Sequence, residues 1–172
     1  MKHARLPQTA PFGKKLAVFI LVSVVWLALD RVTKLWANTV EPGTVLVEDI
    51  GGLFEFVLVH NTGAAWGMFS QSTLGLGIFS LIVCFIILII LFTYLRKEGS
   101  LLQVFFLSLV FAGGLGNAID RMMYSYVIDF INAKFISFPV FNVADIGVTC
   151  GIVLFLIATF GHDRKMQMYQ RG

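Results

Sequence analysis

Charge is scarce in this chain of 172 residues: 13% of positions are Asp, Glu, Lys or Arg, while 58% are hydrophobic. A soluble domain carries about a quarter charged residues to cover its surface. A soluble globular protein is therefore excluded, and a disordered one with it. Cysteine is nearly absent, and both cysteines, Cys84 and Cys150, lie in apolar runs, which excludes a disulfide scaffold. The net charge of +3 is too small, and too divided along the chain, for nucleic-acid binding. No repeat, linker or low-complexity tract is visible. What fills the chain is apolar, with a mean hydropathy of +0.84. The solvent for most of this protein is lipid.

A helix needs about 20 mostly apolar residues to cross a hydrocarbon core about 30 Å thick. Met68–Leu95 and Gly99–Ile119 carry no charge, and Asp145 is the only charge between Lys134 and Asp163. Leu16–Leu29 is apolar but only 14 residues long. Continuing it through Asp30, Arg31 and Lys34 to Trp36 gives the needed length, and Asp30 and Lys34 then share a helix face and can pair. Lys14 and Lys15 before a short apolar run resemble a secretory signal, but no Ala-x-Ala cleavage site follows. The first helix is read as retained. The expected fold is an all-α membrane protein, a single domain over residues 1–172, with a cytoplasmic tail at 1–14 and spans at about 16–36, 69–95, 99–119 and 139–161. Nine lysines and arginines fall on the side of the termini and the Arg96–Gly99 loop, against four on or towards the other side. Both termini are thus expected in the cytoplasm, and the connections Ala37–Gly67 and Asp120–Phe138 outside. Leu53–Val59 reads as a strand in a small sheet at the membrane surface. Asn61-Thr62-Gly63 breaks it, and Ala64–Phe69 reads as a short interfacial helix.

Ionisable groups at membrane depth cost free energy, so each marks a candidate site. Here they gather at the outer ends of the helices: Asp30, Asp120, Arg121 and Asp145, with Asp129 inside the apolar stretch Val127–Ile131, and with Asn61, Asn117 and Asn142. Asn117, Asp120 and Arg121 share one face of the third helix. Gly113, Gly114 and Gly116 before them permit close helix approach. Only His60 lies near the cluster, which makes a poor zinc set. No serine has a histidine–carboxylate partnership, and no glycine-rich phosphate loop is present. The cysteines read as buried and inert.

Carboxylate chemistry with amide and arginine support remains. Two adjacent carboxyls cannot both ionise easily, so one keeps its proton while the other activates water for peptide hydrolysis. The alternative is purely structural, with the aspartates pairing Arg31, Lys34 and Arg121 to hold the bundle together. A proton-coupled transporter would distribute its acids through the bilayer depth, whereas the inner halves of these spans carry none. A non-catalytic assembly subunit is a further alternative, its polar cluster serving as a docking surface.

Five ordered stretches decide among these: Asp30-Arg31-Val32-Thr33-Lys34, Asn61–Gly67, Gly116–Arg121, Val127–Phe130 and Phe141–Asp145. They resemble the signature blocks of the bacterial lipoprotein signal peptidases (signal peptidase II), over nearly the whole chain from Lys14 to about Phe160. Trp66 stands where that family more often has Phe, and the tail before Lys14 is longer than in many members. The resemblance implies a bacterial inner-membrane aspartic endopeptidase of four transmembrane helices, working at the extracytoplasmic face. Its substrates would be prolipoproteins, cut just before a diacylglyceryl-modified cysteine. It implies a catalytic dyad of Asp129 and Asp145. Asn61, Gly63, Asn117, Asp120, Arg121, Asn142, Asp30 and Lys34 would support the site or hold substrate. No metal, cofactor or nucleic acid is implied; the partners would be the lipid-modified substrate and membrane lipid, and the chain is expected to act as a monomer.

Overall fold

The computed structural model describes residues 9–64, 68 and 72–171, the last ten as backbone only. Four helices dominate: α1 (Phe12–Ala37), α2 (Thr73–Ile90, continued by a π-helical turn over Leu91–Leu95), α3 (Leu101–Tyr124) and α4 (Val143–Arg171). Each holds a stretch long and apolar enough to cross a membrane, with mean hydropathies of 2.0, 3.1, 1.7 and 2.2 in chain order. α1 does run through Asp30 and Lys34 to Ala37, as the short apolar run requires. α2 begins at Thr73 rather than 69, and of the expected interfacial helix over 64–69, residues 65–67 and 69 lie outside the described residues. α3 starts with a reciprocal cap, Ser100 Oγ accepting from Gln103 N–H and Gln103 Oε1 from Ser100 N–H. It passes 119 and ends at Ser125 in a left-handed turn (φ 63°).

Three strands lie at one end of the helices: β1 (Val45–Ile50), β2 (Phe54–Asn61) and β3 (Val127–Ala133), in an antiparallel sheet ordered β1-β2-β3. The sheet holds the expected strand as β2 and adds two that were not expected, β1 and β3. It also explains why α4 starts at Val143 and not near 139. Phe141 bridges to Ile131, so the chain stays extended until Asn142. Ile128 and Phe130 turn into a core with Ala37 and Leu58. Val127 and Asp129 then point the opposite way, because side chains alternate along a strand.

The helices meet through small residues, because lipid tails provide no hydrophobic drive between apolar faces. α1, α2 and α4 all pack on α3. A methyl group on Gly113 would collide with the Ala144 carbonyl, and one on Gly151 would come within 2.8 Å of the Phe106 carbonyl. At Gly116 it would lie 2.6 Å from Asp30 Oδ2. At the opposite end, Lys15 is buried and its ammonium donates to the Leu95 carbonyl at 2.8 Å, while Thr9 Oγ1 donates to the Lys97 carbonyl. The start of α1 is thereby tied to the end of α2.

Gly116→Ala is expected to cost about 1–3 kcal/mol, since the added methyl displaces a buried, ion-paired carboxylate. Gly75→Ala, whose methyl meets Ser72 Cβ at 3.8 Å, is expected to be neutral or mildly stabilising. Unfolding titrations of both variants in the same detergent test the contrast.

Candidate active site

Four charged side chains form a closed ring between α1 and α3. Arg31 Nη2 reaches Asp120 Oδ1 at 2.6 Å and Asp30 Oδ2 at 3.2 Å. Lys34 Nζ reaches Asp120 Oδ2 at 2.8 Å and Asp30 Oδ2 at 3.1 Å. Asp30, Lys34 and Asp120 are fully buried. Two acids and two bases leave no net charge, which is how ions survive in a medium of low dielectric. The ring also grips the elements around it. Asp30 Oδ1 accepts from Ala144 N–H at 3.0 Å in the first turn of α4, and Asp120 Oδ2 accepts from Ile128 N–H at 3.4 Å in β3. Lys34 donates to Asn117 Oδ1 at 2.8 Å.

Asn117 and Asn142 carry this order to Asp129 and Asp145. Asn117 Nδ2 donates to Asp145 Oδ1 at 2.7 Å, its oxygen being held by Lys34 and by Asn142 Nδ2. Asn142 caps α4: its Oδ1 accepts from Asp145 N–H at 3.0 Å, and Asp145 Oδ2 accepts from Asn142 N–H at 3.1 Å. Asp145 thus sits at a helix N-terminus, where a negative charge is favoured. Asn142 Nδ2 also donates to Asp129 Oδ1 at 2.6 Å, so one side chain touches both aspartates.

Asp129 takes its second bond from Asn61 Nδ2 at 2.9 Å. A β-bulge puts Asn61 there: β2 advances three residues, Phe56 to Val59, while β3 advances two, Ile131 to Asp129. The extra residue flips the faces of the far half of β2 and sets Asn61 opposite Val127, beside Asp129. Asn61 Oδ1 accepts from Gly63 N–H, and Arg121 Nη2 donates to the Gly63 carbonyl at 3.1 Å. All the sequence-identified residues, Gly63 included, therefore enter one network.

The structural alternative holds for half of the acids. Among the described residues, the ion pairs join Arg31 and Lys34 to Asp30 and Asp120. The hydrogen bonds to Asp129 and Asp145 come from neutral N–H groups instead. Arg121 spends its guanidinium on two backbone carbonyls. Burial, and then the negative charge of Asp145, push Asp129 up to about 7; its bonds from Asn61 and Asn142 and the charge of Lys34 oppose this only in part.

Both aspartates line a cavity of about 410 Å³, with Asn61, Asn117 and Arg121 on its polar side. Phe138, Phe141, Ile146 and Cys150 are among its apolar lining residues, a wall that pattern reading did not find. Cys150 is exposed there, not buried as expected, because it lies one helical turn after Ile146 on the cavity side of α4. Cys84 is buried. His60 lies away from this site: its ring stacks on Tyr126 at 3.8 Å, with Nε2 2.7 Å from Asn38 Oδ1, and burial lowers its pKa. Among the described residues, no group of three or more His, Cys, Asp or Glu side chains converges as a metal site would.

The family model described as signal peptidase (SPase) II matches residues 22–161, which include every residue of this network. The lipoprotein signal peptidase of Clostridium acetobutylicum is 40% identical over 149 residues, covering 85% of this chain and 96% of that protein. That of Staphylococcus carnosus is 38% identical over 166 residues, covering 92% and 98%. A solved structure described as a bacterial membrane enzyme superposes with a TM-score of 0.78 at 32% identity, across 84% of this chain and 88% of the other. A second, described in the same words, gives 0.74 at 34% identity, across 83% and 92%. The chain belongs to the signal peptidase II family of membrane peptidases.

Proposed function

We propose that this protein is an aspartic endopeptidase of the bacterial inner membrane that cuts the signal peptide from prolipoproteins, just before a diacylglyceryl-modified cysteine. The observation that carries this reading is the pair Asp129 and Asp145: two carboxyls on one cavity, joined through Asn142 and held by neutral N–H groups. Ion-paired carboxylates would be locked in the charged form. These two can share a proton.

In the proposed reaction the ionised member takes a proton from a water lying between the pair, and that water attacks the scissile carbonyl. The protonated member hydrogen-bonds the developing oxyanion and then supplies the proton to the leaving amine. Arg121 and Asn61 border the path of the substrate backbone. The lysine and arginine bias places both termini in the cytoplasm, so the cavity opens at the extracytoplasmic surface. There the apolar signal helix and the acyl chains stay in lipid while the bond is cut. Both carboxyls and all their partners come from one chain, so a monomer suffices.

Asp129→Asn and Asp145→Asn are each expected to lower turnover of a lipid-modified prolipoprotein at least about a hundredfold with the protein still folded. The double variant should be little worse than either single one, because the pair acts as a unit. Near-normal cleavage by either single variant defeats the assignment.

Asp120→Asn is expected to behave differently. It leaves Lys34 and Arg31 short of one partner, so stability should fall by about 3 kcal/mol, while turnover per folded molecule is reduced but measurable. Unfolding curves measured beside initial rates separate the two effects.

The raised pKa of Asp129 sets the pH dependence. Activity should rise as one carboxyl of the pair ionises in acid, then fall as pH passes about 7 and the shared proton is lost. The same shift acts on folding. A carboxyl that holds its proton more tightly folded than unfolded contributes stability in acid, which is lost as pH rises from the ordinary 3.8 towards about 7. Melting temperature should therefore decline over that window, and the decline should flatten in Asp129→Asn.

A further inference from the structure

His60 takes no part in the reaction proposed above, yet it adjoins Asn61, whose amide donates to Asp129 Oδ2 at 2.9 Å. In β2 it pairs with Ile128, so its side chain lies on the core face of the sheet, while that of Asn61 lies on the cavity face. The imidazole is held on two sides. Nε2 lies 2.7 Å from Asn38 Oδ1, an atom that only accepts, so Nε2 carries the hydrogen. The ring stacks on Tyr126, with centroids 3.8 Å apart and planes 13° from parallel. Burial lowers the imidazole pKa, which keeps the ring neutral near pH 7. Nε2 retains its hydrogen in either protonation state, so the bond to Asn38 does not depend on pH.

The two neighbours belong to separate elements. Asn38 closes α1, its N–H donating to the Lys34 carbonyl at 2.9 Å, and Lys34 belongs to the ion ring. Tyr126 follows Ser125, the left-handed end of α3, and precedes Val127, the first residue of β3. His60 therefore fastens the end of β2 both to α1 and to the turn that starts β3.

This clamp bears on the Asn61–Asp129 bond from both of its ends. Asn61 is the last residue of β2, paired with Val127, and the chain leaves the sheet after it. The ladder is also interrupted upstream by the bulge between Phe56 and Val59. A strand end of this kind frays unless contacts beyond the ladder hold it. His60 lies one residue before the donor of the bond, and its stacking partner Tyr126 lies three residues before the acceptor.

We propose that His60 is a positioning residue for the carboxyl pair: bonded to Asn38 and stacked on Tyr126, it fixes the end of β2 so that the Asn61 amide stays on Asp129. It touches neither carboxyl and acts only through Asn61. The other charged groups that act on Asp129 are Asp145 of α4, Lys34 of α1 and Arg121 of α3, and none is altered in the variants below. The inference deepens the proposed peptidase reading, and its first test needs no substrate.

That test follows the carboxyl titration of Asp129 by carbon-13 NMR in the full-length protein in detergent, the signal being identified by its loss in Asp129→Asn. An amide that donates to a carboxylate favours the charged form, so losing the Asn61 bond raises the pKa. In His60→Ala the carboxyl is expected to titrate at higher pH than in the wild type, as it should in Asn61→Ala. The double variant His60→Ala/Asn61→Ala should titrate as Asn61→Ala does. His60→Gln, which keeps an N–H for Asn38, should restore part of the difference. Asn38→Ala removes the acceptor instead and should shift the titration in the same direction, which serves as well if His60→Ala does not fold. An unchanged titration in either folded variant, or a double variant displaced beyond Asn61→Ala, overturns the proposal. With a lipid-modified prolipoprotein, His60→Ala should lower kcat about tenfold at unchanged KM. A raised KM at full kcat counts against positioning. A wild type that titrates as described and cleaves nothing defeats the peptidase reading and leaves the clamp standing.

Discussion

Lys34 and Arg31 each hold both Asp30 and Asp120, and the rest of the sheet-bearing half of the molecule is built on that ring. Within a membrane, water cannot solvate an unpaired ion, so the four charges must stay together or the helices carrying them must separate. The spare acceptor positions of the two acids then do further work. One secures the first turn of α4 at Ala144, and the other secures β3 at Ile128. Gly116 is required beside the ring for the same reason, because a methyl group there would press on Asp30 Oδ2.

A second consequence is a division among the acids. Asp30 and Asp120 pair with Arg31 and Lys34, and Asp129 and Asp145 take their hydrogen bonds from amide and backbone donors. Amides orient a carboxyl without forcing it to ionise as strongly as a lysine or arginine in contact would. Lys34 stands one step back, acting on Asp145 through Asn117. The proposed reaction draws on this arrangement: fixed geometry, and a carboxyl, Asp129, that burial and the charge of Asp145 push up to about 7.

The helix that presents Asp145 illustrates how local and global order reinforce each other. Asn142 and Asp145 cap one another, an arrangement visible as an Asn followed three residues later by an Asp before an apolar run. The same Asn142 reaches Asp129 on a separate strand. A local capping preference thus also serves as the link between two segments that the chain brings together only on folding.

By itself the sequence determined the four spanning helices, the level at which the polar residues gather and the Asp30–Lys34 pairing, because these depend on hydrophobic length and helical spacing. Family blocks added the membership of the site, down to Gly63. Only the tertiary structure decided which acids meet cations and which meet amides, since a carboxylate's partner is chosen by helix packing across 80 or more residues, as in Arg31 to Asp120. The strands β1 and β3 escaped pattern reading because one is short and half-exposed and the other is apolar on nearly every residue, so alternation is muted. The bulge that sets Asn61 beside Asp129, and the cavity wall with its exposed Cys150, escaped for a related reason. Each depends on the register of one segment against another, and register is a property of the pair.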